Sequence, residues 1–555
     1  MSDNVARWGR EIAVEQVGGV PFRMYAPRTR RLASLLDHAG RWAGRAHVVQ
    51  GDVRLDFADL ETAVRRKAAQ LQQHGIGPGD RVALLGWNGP DWVVNVWAPL
   101  WLGAVPVLVN SRWSTREIEL AFTLLQPRAV LADSRLAPKL PAGAPVAPWP
   151  MAGETEGPLP ERADGDDENE PALILFTSGS TGFPKAVVLS HRSIISGLHS
   201  LLAITKRLPQ DLEGAPPSVA LHTAPLFHVG GVQTLMRGVV VGETLVFPQG
   251  RFDAHGAMDL IAAHGVTRWS AVPTMVSRLL DAQAERPADL SSLRSLTLGG
   301  APAHPSLYQR IRDELPSVKA RIATGYGLTE NGGQATAASG SDTRDRPGVC
   351  GVPLPAVEIS FAKRAADGDG EVLIRAASQM LGYFGETAGP IDAGGWLHTG
   401  DLGHLDQDGY LWVTGRSKDL ILRGGENIAP LSVERALAGV PGVLDAAVFG
   451  LPHPDLGEEV AAVVVVDDIT AARSDLGEYV STALRSDLAS FAIPTRWRFQ
   501  TGELPVLGSE KIDKHALAAE LAAGDPPLPS LAGNWAPVQK TARFAPVARP
   551  ALMVL

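Results

Sequence analysis

Apolar and polar residues alternate along most of the chain with two periods, one typical of amphipathic helices and one of buried strands. The run RVALLGW at 81–87 is typical of a buried strand, and AVLAD at 129–133 of another. Ser114 and Glu117 form the capping-box pattern of a helix start before the second strand. An earlier apolar set recurs at helical spacing: Leu60, Val64, Ala68, Leu71. This repeated strand–helix rhythm predicts an α/β fold with parallel sheets covered by helices.

The pattern changes after residue 430 to a compact α+β set. We expect a helix near 431–439, strands at 443–451 and 459–466, and a helix through 474–489. The last thirty residues are rich in Pro and Ala and lack a periodic apolar pattern. We therefore divide the chain into an N-terminal domain (1–416), a small C-terminal domain (417–524) and a tail (525–555).

The segment 92–109 is apolar enough to imitate a membrane span. Asn95, Pro99, Gly103 and Pro106 interrupt it. A buried helix, a glycine turn and a buried strand explain these interruptions better than a membrane helix does. We expect no integral membrane span.

The segment 154–171 is acidic and rich in Pro and Gly. Its carboxylates lack the ligand spacing of a calcium loop. We expect a solvated linker without regular structure.

Composition narrows the class of protein. The chain has 555 residues, 45% of them hydrophobic, and a net charge of −9. That charge argues against broad binding to nucleic acid or anionic membranes, which needs a basic surface. One cysteine, Cys350, excludes an intrachain disulfide framework, and the N-terminus lacks the pattern of a signal peptide. We expect a cytoplasmic enzyme that acts on small molecules, as a monomer or a homodimer.

One short stretch, FTSGSTGFPKAVVLSH at 176–191, concentrates hydroxyl residues and glycines before a lysine. Such a loop between strands can present backbone and hydroxyl donors to phosphate oxygens. It is not a Walker loop, because Lys185 stands three residues after Gly182 and a strand-like run follows instead of a helix. A plain polar turn would explain the stretch if it stood alone.

Six further blocks occur in order and together resemble the adenylate-forming superfamily, which includes acyl-CoA synthetases, peptide-synthetase adenylation domains and beetle-type luciferases. They are PLFHVGG (225–231), LGGAP (298–302), ATGYGLTE (323–330), WLHTGD (396–401), GRSKDLILRGGENIAP (415–430) and LGSEKIDK (507–514). The resemblance covers roughly residues 30–520. It implies a large N-terminal domain of two βα-layered sheets plus a small β-barrel, followed by a small mobile α+β domain.

The resemblance also implies ATP, Mg²⁺ and coenzyme A as the small molecules bound besides a carboxylic acid. The β- and γ-phosphates would be held by Thr177, Ser178, Gly179, Ser180, Thr181, Gly182 and Lys185. Glu330 would bind the magnesium ion and Thr329 the α-phosphate, while Lys511 would be the catalytic lysine. Asp401 and Arg416 would bind the ribose; Gly299, Gly300, Ala301, Gly325 and Tyr326 would surround the adenine or line the adjoining pocket.

The resemblance also implies which residues form the acyl and thiol sides of the site. His228 matches a position beside the carboxylate, and Gly230, Gly231, Val272 and Met275 would line the acyl pocket. Lys418 matches the hinge, and Gly424 and Gly425 would form the lip for the pantetheine arm. No acid occurs from 225 to 231, where amino-acid-activating relatives carry an aspartate for the ammonium group. We therefore expect acids with uncharged aliphatic or aromatic tails.

Four positions depart from the family pattern. Ser180 replaces a common threonine, Ala186 a common glycine, and Cys350 is expected only to pack. Glu510 stands where the family usually has glycine, directly before Lys511. A carboxylate there could hold the lysine away from phosphate or could point outward.

The resemblance implies a carboxylate–CoA ligase that forms an acyl-AMP, transfers the acyl group to CoA, and releases AMP and pyrophosphate. An acyl-AMP ligase that loads a separate carrier protein is the main alternative. A luciferase-like oxygenase and a non-catalytic nucleotide-binding protein are the others. Retention of Lys185, Glu330, Asp401, Arg416 and Lys511 disfavours the last.

Overall fold

The computed structural model describes residues 7–151, 153, 158–163, 165–177, 184–300, 303, 305–318, 321–362, 368–506 and 512–523. Several predicted site residues lie outside these ranges: Ser178, Gly179, Ser180, Thr181, Gly182, Ala301 and Lys511, together with Glu510 and the tail.

The N-terminal region up to Arg416 contains strands β1–β24 and helices α1–α9 among the described residues. The strands are β1 Trp8–Val17, β2 Val20–Arg28, β3 Ala46–Gln50, β4 Val53–Asp56, β5 Arg81–Leu85, β6 Val105–Leu108, β7 Ala129–Ala132, β8 Val146–Ala147, β9 Pro171–Thr177, β10 Lys185–Ser190, β11 Val219–His222, β12 Thr244–Val246, β13 Arg268–Ala271, β14 Ser295–Leu298, β15 Ile322–Thr324, β16 Gly327–Leu328, β17 Gly333–Gln334, β18 Thr336–Ser339, β19 Val352–Pro353, β20 Val357–Ala362, β21 Gly370–Ala376, β22 Gly382–Tyr383, β23 Leu397–Leu405 and β24 Leu411–Arg416. The helices are α1 Phe57–Gln73, α2 Pro90–Trp101, α3 Thr115–Leu125, α4 His191–Ile204, α5 Val229–Val241, α6 Ala254–His264, α7 Pro273–Glu285, α8 Pro305–Glu314 and α9 Ser341–Asp345.

Two large sheets organise this region. One has seven strands in the order β22-β10-β9-β6-β5-β7-β8, and the other has nine in the order β19-β18-β15-β14-β13-β11-β12-β3-β4. The largest apolar core joins buried residues of both sheets with those of α1, α2, α4 and α5, so these helices lie between the sheets. Separate cores place α3 on the outer face of one sheet and α6–α8 on that of the other. The predicted βα-layered architecture is confirmed.

A third sheet, β20-β21-β23-β24, is antiparallel and occupies the place of the predicted β-barrel. It ends the N-terminal region at Arg416. Beyond it lies a five-stranded sheet built from β25 Ile421–Arg423, β26 Glu426–Ile428, β27 Val443–His453, β28 Gly457–Val466 and β29 Arg496–Gln500. Its helices are α10 Pro430–Ala438, α11 Asp468–Ala471, α12 Leu476–Leu484 and α13 Lys514–Ala522.

The C-terminal sheet has its own apolar cores on its two faces. The predicted helix at 431–439 and both predicted strands are present, and the second predicted helix is shorter than expected. A small α+β unit after the large α/β region is thus confirmed, whereas the boundary at residue 416 stays a prediction.

The membrane-like segment is buried in the main core. It forms helix α2, a glycine turn in which Gly103 has φ +71°, and strand β6. In the described part of the chain, no helix combines the length and the apolar character needed to cross a bilayer.

The acidic segment is not simply solvated. Its described residues before Pro171, the first residue of β9, lack helix and strand, as expected, but Glu168 is 5% exposed and forms an ion pair with Arg28. Arg28 Nε donates to Glu168 Oε2 over 2.9 Å, and Arg28 also pairs with Glu15. The expectation of a fully solvated linker was wrong at this point, because sequence spacing could not show that β2 supplies a buried guanidinium.

Candidate functional site

A cleft of about 3100 Å³ lies where the large sheets, the third sheet and the C-terminal unit meet. Most of the predicted site residues that the structure describes line it. They are Thr177, Lys185, His228, Gly230, Gly231, Val272, Gly299, Gly300, Gly325, Tyr326, Thr329, Glu330, Asp401, Arg416 and Lys418. Residues from blocks that are far apart in the sequence are therefore gathered into one site.

The strands of a hairpin fix the ends of the phosphate-loop candidate. Thr177 and Lys185 are direct partners across the antiparallel pair β9–β10. The loop between them therefore begins and ends at one place on the cleft wall. Lys185 Nζ lies 3.2 Å from Glu386 Oε2 and 4.4 Å from the centroid of the Tyr383 ring.

Glu330 lies on a short 3-10 turn, Thr329–Asn331, beside this hairpin. Its Oε1 accepts hydrogen bonds from the hydroxyls of Tyr383 (3.0 Å) and Thr177 (3.4 Å). Burial raises the pKa of the Tyr383 phenol, and the neighbouring Glu330 carboxylate raises it further, so this hydroxyl stays a donor.

Glu330 fits a magnesium site of the kind in which substrate phosphates supply most of the ligands. Among the described residues, no cluster of three or more His, Cys, Asp or Glu side chains could hold a metal by itself. Mg²⁺ is commonly held by one or two carboxylates together with nucleotide phosphates and waters. Glu330 is the carboxylate that the structure places between the phosphate-loop hairpin and the cleft.

The candidate ribose site centres on a buried carboxylate. Asp401 is 2% exposed; Arg416 Nε donates to its Oδ1 over 2.6 Å, and the Tyr326 hydroxyl donates to its Oδ2 over 2.5 Å. Each carboxylate oxygen can still accept a second hydrogen bond. Burial and the Asp401 charge raise the pKa of Tyr326 well above its usual value. Burial acts to lower the pKa of Arg416, but Asp401 outweighs it and the pKa is raised.

Two glycines lie at the part of the cleft that the resemblance assigns to the adenine. Gly300 has φ +81°, a left-handed conformation that side chains disfavour. A Cβ on Gly325 would lie 2.4 Å from the carbonyl oxygen of Thr336. Both positions therefore need glycine for backbone reasons.

The candidate acyl side starts at the N-terminus of α5. His228 is the N-cap residue of that helix, half-buried, with its ring centroid 4.6 Å from that of Phe227. A Cβ on Gly231 would lie 2.6 Å from the Cα of Leu226, so the first turn of α5 requires glycine there. Met275 does not reach the cleft: it is 2% exposed, within the core of α6–α8, and its Sδ accepts a hydrogen bond from Thr223. Val272, which lines the cleft, is the extended N-cap residue before α7, whereas Met275 lies in the first turn of the helix and packs into the core.

The C-terminal unit presents one of its faces to the cleft. Val506 and Ile512 form an antiparallel bridge, and both line the cleft. The described residues on either side of Lys511 in the sequence therefore lie at the cleft wall. Arg278 of α7 pairs with Glu503 over 2.7 Å, which links the two regions near this point.

Gly424 and Gly425 lie elsewhere in this structure. They form the two-residue turn between β25 and β26, with φ +58° and +90°, and do not line the cleft. A turn with two left-handed residues is the type that suits a tight hairpin. Lys418 is exposed in the link between the two regions.

Cys350 is partly buried against the main core, as expected of a packing residue. Burial raises the pKa of its thiol, which disfavours the thiolate that a nucleophile needs.

Tyr383 and Glu386 were missed in the sequence. They lie more than fifty residues after Glu330, in a stretch without a recognised motif, and reach the site because β22 pairs with β10. The sequence pattern carries no signal for that pairing, since β22 is two residues long.

Comparison with known proteins agrees with this geometry. The family described as AMP-binding enzyme matches residues 35–384, and the family described as AMP-binding enzyme C-terminal domain matches 432–511. A feruloyl-CoA synthase of Amycolatopsis is 34% identical over 507 residues, covering 88% of this chain and 98% of that protein.

Solved structures extend the likeness. An o-succinylbenzoate CoA synthetase of Bacillus subtilis, in complex with its acyl-adenylate intermediate, matches with a TM-score of 0.72 and 28% identity, over 87% of this chain and 97% of that one. The amide bond synthetase McbA of Marinactinospora thermotolerans matches with a TM-score of 0.74 and 27% identity, over 88% and 99% of the two chains.

The fold, the cleft and these matches define an adenylate-forming enzyme of the acid–thiol ligase class. The chain belongs to the AMP-binding enzyme family.

Proposed function

We propose that this enzyme joins a small carboxylic acid, aromatic or aliphatic, to coenzyme A in two half-reactions that share the cleft. The observation that carries the proposal is the convergence on one cavity of a phosphate-loop hairpin, the Glu330 carboxylate and the buried Asp401.

In the first half-reaction, a carboxylate oxygen of the acid attacks the α-phosphorus of ATP. The α–β phosphoanhydride bond breaks, and pyrophosphate leaves. We assign Lys185 and the loop before it to the departing phosphates, Thr329 to the α-phosphate, and Lys511 to the charge that builds up on oxygen as the new bond forms. Glu330 would hold Mg²⁺, which neutralises the phosphate charge.

Nucleotide binding needs no large rearrangement on the ribose side. Asp401 is already oriented by Arg416 and Tyr326, so its remaining lone pairs can accept the two ribose hydroxyls. Lys185 must exchange its contact with the exposed Glu386 for phosphate, a pair that solvent already weakens.

In the second half-reaction, the thiol sulfur of CoA attacks the acyl carbonyl carbon, AMP departs with the bonding electrons, and the thiol proton passes to solvent or to the leaving phosphate. We assign Gly424 and Gly425 to the pantetheine arm and Lys418 to the hinge. Because the glycine turn lies away from the cleft in this structure while Val506 and Ile512 line it, the arrangement suits the first half-reaction.

A carrier protein is the alternative acceptor, and the acyl-AMP is common to both. The similarity to the feruloyl-CoA synthase of Amycolatopsis favours CoA and an aromatic acid for this chain. A cytoplasmic location and a monomeric or homodimeric state stay predictions.

The test is a pyrophosphate-release screen over a panel of carboxylic acids, run with and without CoA, in which the thioester is identified by mass. We expect CoA-dependent AMP formation with one class of acid and none with free amino acids. Acyl-AMP that accumulates and ignores CoA would favour the carrier-loading alternative.

A further inference from the structure

The cleft continues past His228 along one face of helix α5. Gly230, Gln233, Thr234 and Arg237 follow one another at the helical spacing of a single face, and all four line the cavity. Arg237 stands nine residues after His228, which corresponds to about 13 Å along the helix axis. This extension is the space that the distal part of an acyl group would occupy.

The opposite wall of the extension is polar. In the parallel strands β11 and β13, His222 is the direct partner of Ser270, which in turn is the partner of Thr297 on β14. Paired residues point to the same face of a sheet, so these three side chains lie together, and all line the cavity. Trp269, on the other face, is fully buried. A long apolar acyl chain would meet hydroxyl groups on this wall.

The far end of the extension contains a buried charge cluster. Glu243 is 0% exposed and accepts hydrogen bonds from Arg268 Nε (3.1 Å), Arg268 Nη2 (2.6 Å) and Ser218 Oγ (2.6 Å). The third nitrogen of Arg268, Nη1, donates to Ser270 over 3.1 Å. Arg268 alone therefore satisfies the charge of Glu243 with a bidentate pair.

Arg237 adds a second cation to the same carboxylate. Its Nη1 donates to Glu243 Oε2, while its Nε and Nη2 make no hydrogen bond to any residue in the described ranges. Its side chain is 14% exposed and lines the cavity. Arg207, which also lines the cavity, adds further positive charge nearby. Two guanidinium groups thus share one carboxylate, and a third lies close enough to act on Arg237.

A surplus cation in a protein interior is costly unless an anion accompanies it. Burial lowers the pKa of Arg237 to about 10, so the guanidinium is still charged at neutral pH. Glu243 is held ionised, because Arg237 and Arg268 outweigh the effect of burial and lower its pKa. The cluster therefore carries net positive charge toward the cavity, which a bound anion would balance.

We propose that Arg237, supported by Arg268 and Glu243, forms a distal subsite for a second carboxylate, so that the substrate is a dicarboxylic acid. This inference rests on the proposed function, since the other carboxylate is the one that is activated near His228. The two carboxylates would be separated by a distance on the order of 10 Å, given the helix rise between these positions. The absence of an acid at 225–231 argues against an ammonium group on the substrate, but it does not argue against an anion. The expectation of an uncharged tail stays a prediction, and the experiment below decides between it and this proposal.

The experiment compares matched substrates in the full-length enzyme. A series of aromatic and aliphatic dicarboxylic acids of graded length is assayed beside the monomethyl ester of each, with ATP, Mg²⁺ and CoA. For the best-fitting length, we expect wild type to prefer the diacid over its ester by at least about tenfold in kcat/KM, as for one charge-assisted hydrogen-bonded pair.

Variants then locate the preference. In Arg237→Gln, kcat/KM for the diacid should fall close to kcat/KM for its ester, mainly because KM for the diacid rises. Arg237→Lys should restore part of the preference for the diacid. Arg286→Gln, which removes a surface partner of Asp259 outside the cleft, should keep the wild-type ratio. If Arg237→Gln does not fold, the diacid-to-ester ratio of Arg237→Lys and the thermal shift of wild type with each compound of the pair decide the question.

The outcomes separate the two proposals. If wild type turns over esters and diacids equally well at every length, or if Arg237→Gln lowers both to the same extent, the distal subsite is wrong and Arg237 only stabilises Glu243. If neither kind of acid gives AMP and a CoA thioester, the proposed function itself fails.

Discussion

Arg416 and Asp401 are direct partners across the antiparallel ladder β23–β24, and Arg416 Nε donates to Asp401 Oδ1 over 2.6 Å. The strand register therefore fixes the orientation of the buried carboxylate before any nucleotide binds. Tyr326, from the loop between β15 and β16, holds the other oxygen. In the ribose-binding role proposed for Asp401, a carboxylate fixed from two sides would lose little side-chain freedom.

Replacing this carboxylate should weaken ATP binding. Hydrogen bonds to a charged group contribute about 1.5–3 kcal/mol each, so Asp401→Ala should raise the KM for ATP at least about tenfold. Steady-state pyrophosphate release at varied ATP measures the effect. Glu358→Ala is the matched control, because Glu358 pairs with Arg375 on the same sheet but away from the cleft. Similar ATP dependence in both variants would remove Asp401 from the ribose site.

Tyr383 should influence the Mg²⁺ requirement of the enzyme by orienting the Glu330 carboxylate. Tyr383→Phe removes the hydroxyl that donates to Glu330 and keeps the ring beneath Lys185. Removing a hydrogen-bond partner of a metal-binding carboxylate typically lowers metal affinity by about 10- to 100-fold, so the Mg²⁺ concentration for half-maximal pyrophosphate release should rise by about that factor.

Tyr410→Phe provides the comparison for this variant. Tyr410 donates to Asp342 over 2.8 Å, and its ring lies outside the cleft lining. An unchanged Mg²⁺ requirement in Tyr383→Phe, or an equal rise in Tyr410→Phe, would contradict the positioning of Glu330 by Tyr383.

The turn glycines Gly424 and Gly425 should affect the rate of thioester formation but not that of acyl-AMP formation. Gly425 has φ +90°, so Gly425→Ala places a side chain in a conformation that costs about 1–2 kcal/mol. We expect slower thioester formation from supplied acyl-AMP and CoA, with acyl-AMP formation retained.

Gly409→Ala is the control for this variant. It introduces the same strain, since Gly409 has φ +82° and, like Gly425, has no atoms within 4 Å of the point that a Cβ would occupy. It should lower the melting temperature similarly without affecting thioester formation.

Much of the fold could be predicted because its signals are local. The Ser114–Glu117 capping box forms as expected, with Glu117 N 3.3 Å from Ser114 Oγ, and the interrupted apolar segment folds as helix, glycine turn and strand. The blocks that form the nucleotide side were also recognisable in order. Their gathering into one cleft follows from the sheet topology, in which β9, β15 and β24 end at the cleft and β23 begins there.

The remaining features depend on contacts between distant segments that have no pattern of their own. Tyr383 reaches Glu330 only through a two-residue strand, and Met275 turns inward although it lies close to Val272 in sequence. Arg237 and Glu243 belong to no recognised motif, whereas the structure removes Glu243 from solvent, pairs it with Arg268 of β13 and leaves Arg237 14% exposed. Whether a charged side chain is buried depends on how the layers of the fold pack together, and the spacing of hydrophobic positions in the sequence does not show it.

Acid should destabilise the fold through its buried histidines. Burial lowers the pKa of five of them below the value of about 6.5 expected in the unfolded chain. They are His38, His47, His199 and His222, each lowered to about 4, and His191, lowered to about 3. Below pH 6.5 the unfolded chain binds protons that the folded chain does not, so stability is full above that pH and is lost as the pH falls toward 4.

Urea unfolding at pH 7.5, 6.5, 5.5 and 5.0 measures this loss. Each buried histidine should lower the free energy of unfolding by up to about 1.4 kcal/mol for each pH unit below 6.5. His199→Gln should make the dependence shallower, whereas the exposed His515→Gln should leave it as in wild type. A free energy of unfolding that is constant from pH 7.5 to 5.0 would contradict the neutral, buried state of these rings.

Lys511 should act in the first half-reaction alone. Removing one preorganised charge donor costs about 100- to 1000-fold in rate, so Lys511→Ala should slow acyl-AMP formation by that factor. Thioester formation from supplied acyl-AMP and CoA should change little. Glu510→Gly should leave the first step unchanged or faster. Equal damage to both steps in Lys511→Ala would rule out the assignment of one orientation to each half-reaction.

We expect one cleft to make the acyl-AMP and to pass its acyl group to CoA. The direct measurement is a single-turnover chase: enzyme, ATP, Mg²⁺ and a substrate acid are mixed without CoA, and the bound acyl-AMP is followed after CoA is added. We expect acyl-AMP to disappear at the rate at which thioester and AMP appear, in equal amounts. An acyl-AMP that persists, or that decays to free acid at the same rate with and without CoA, would contradict it.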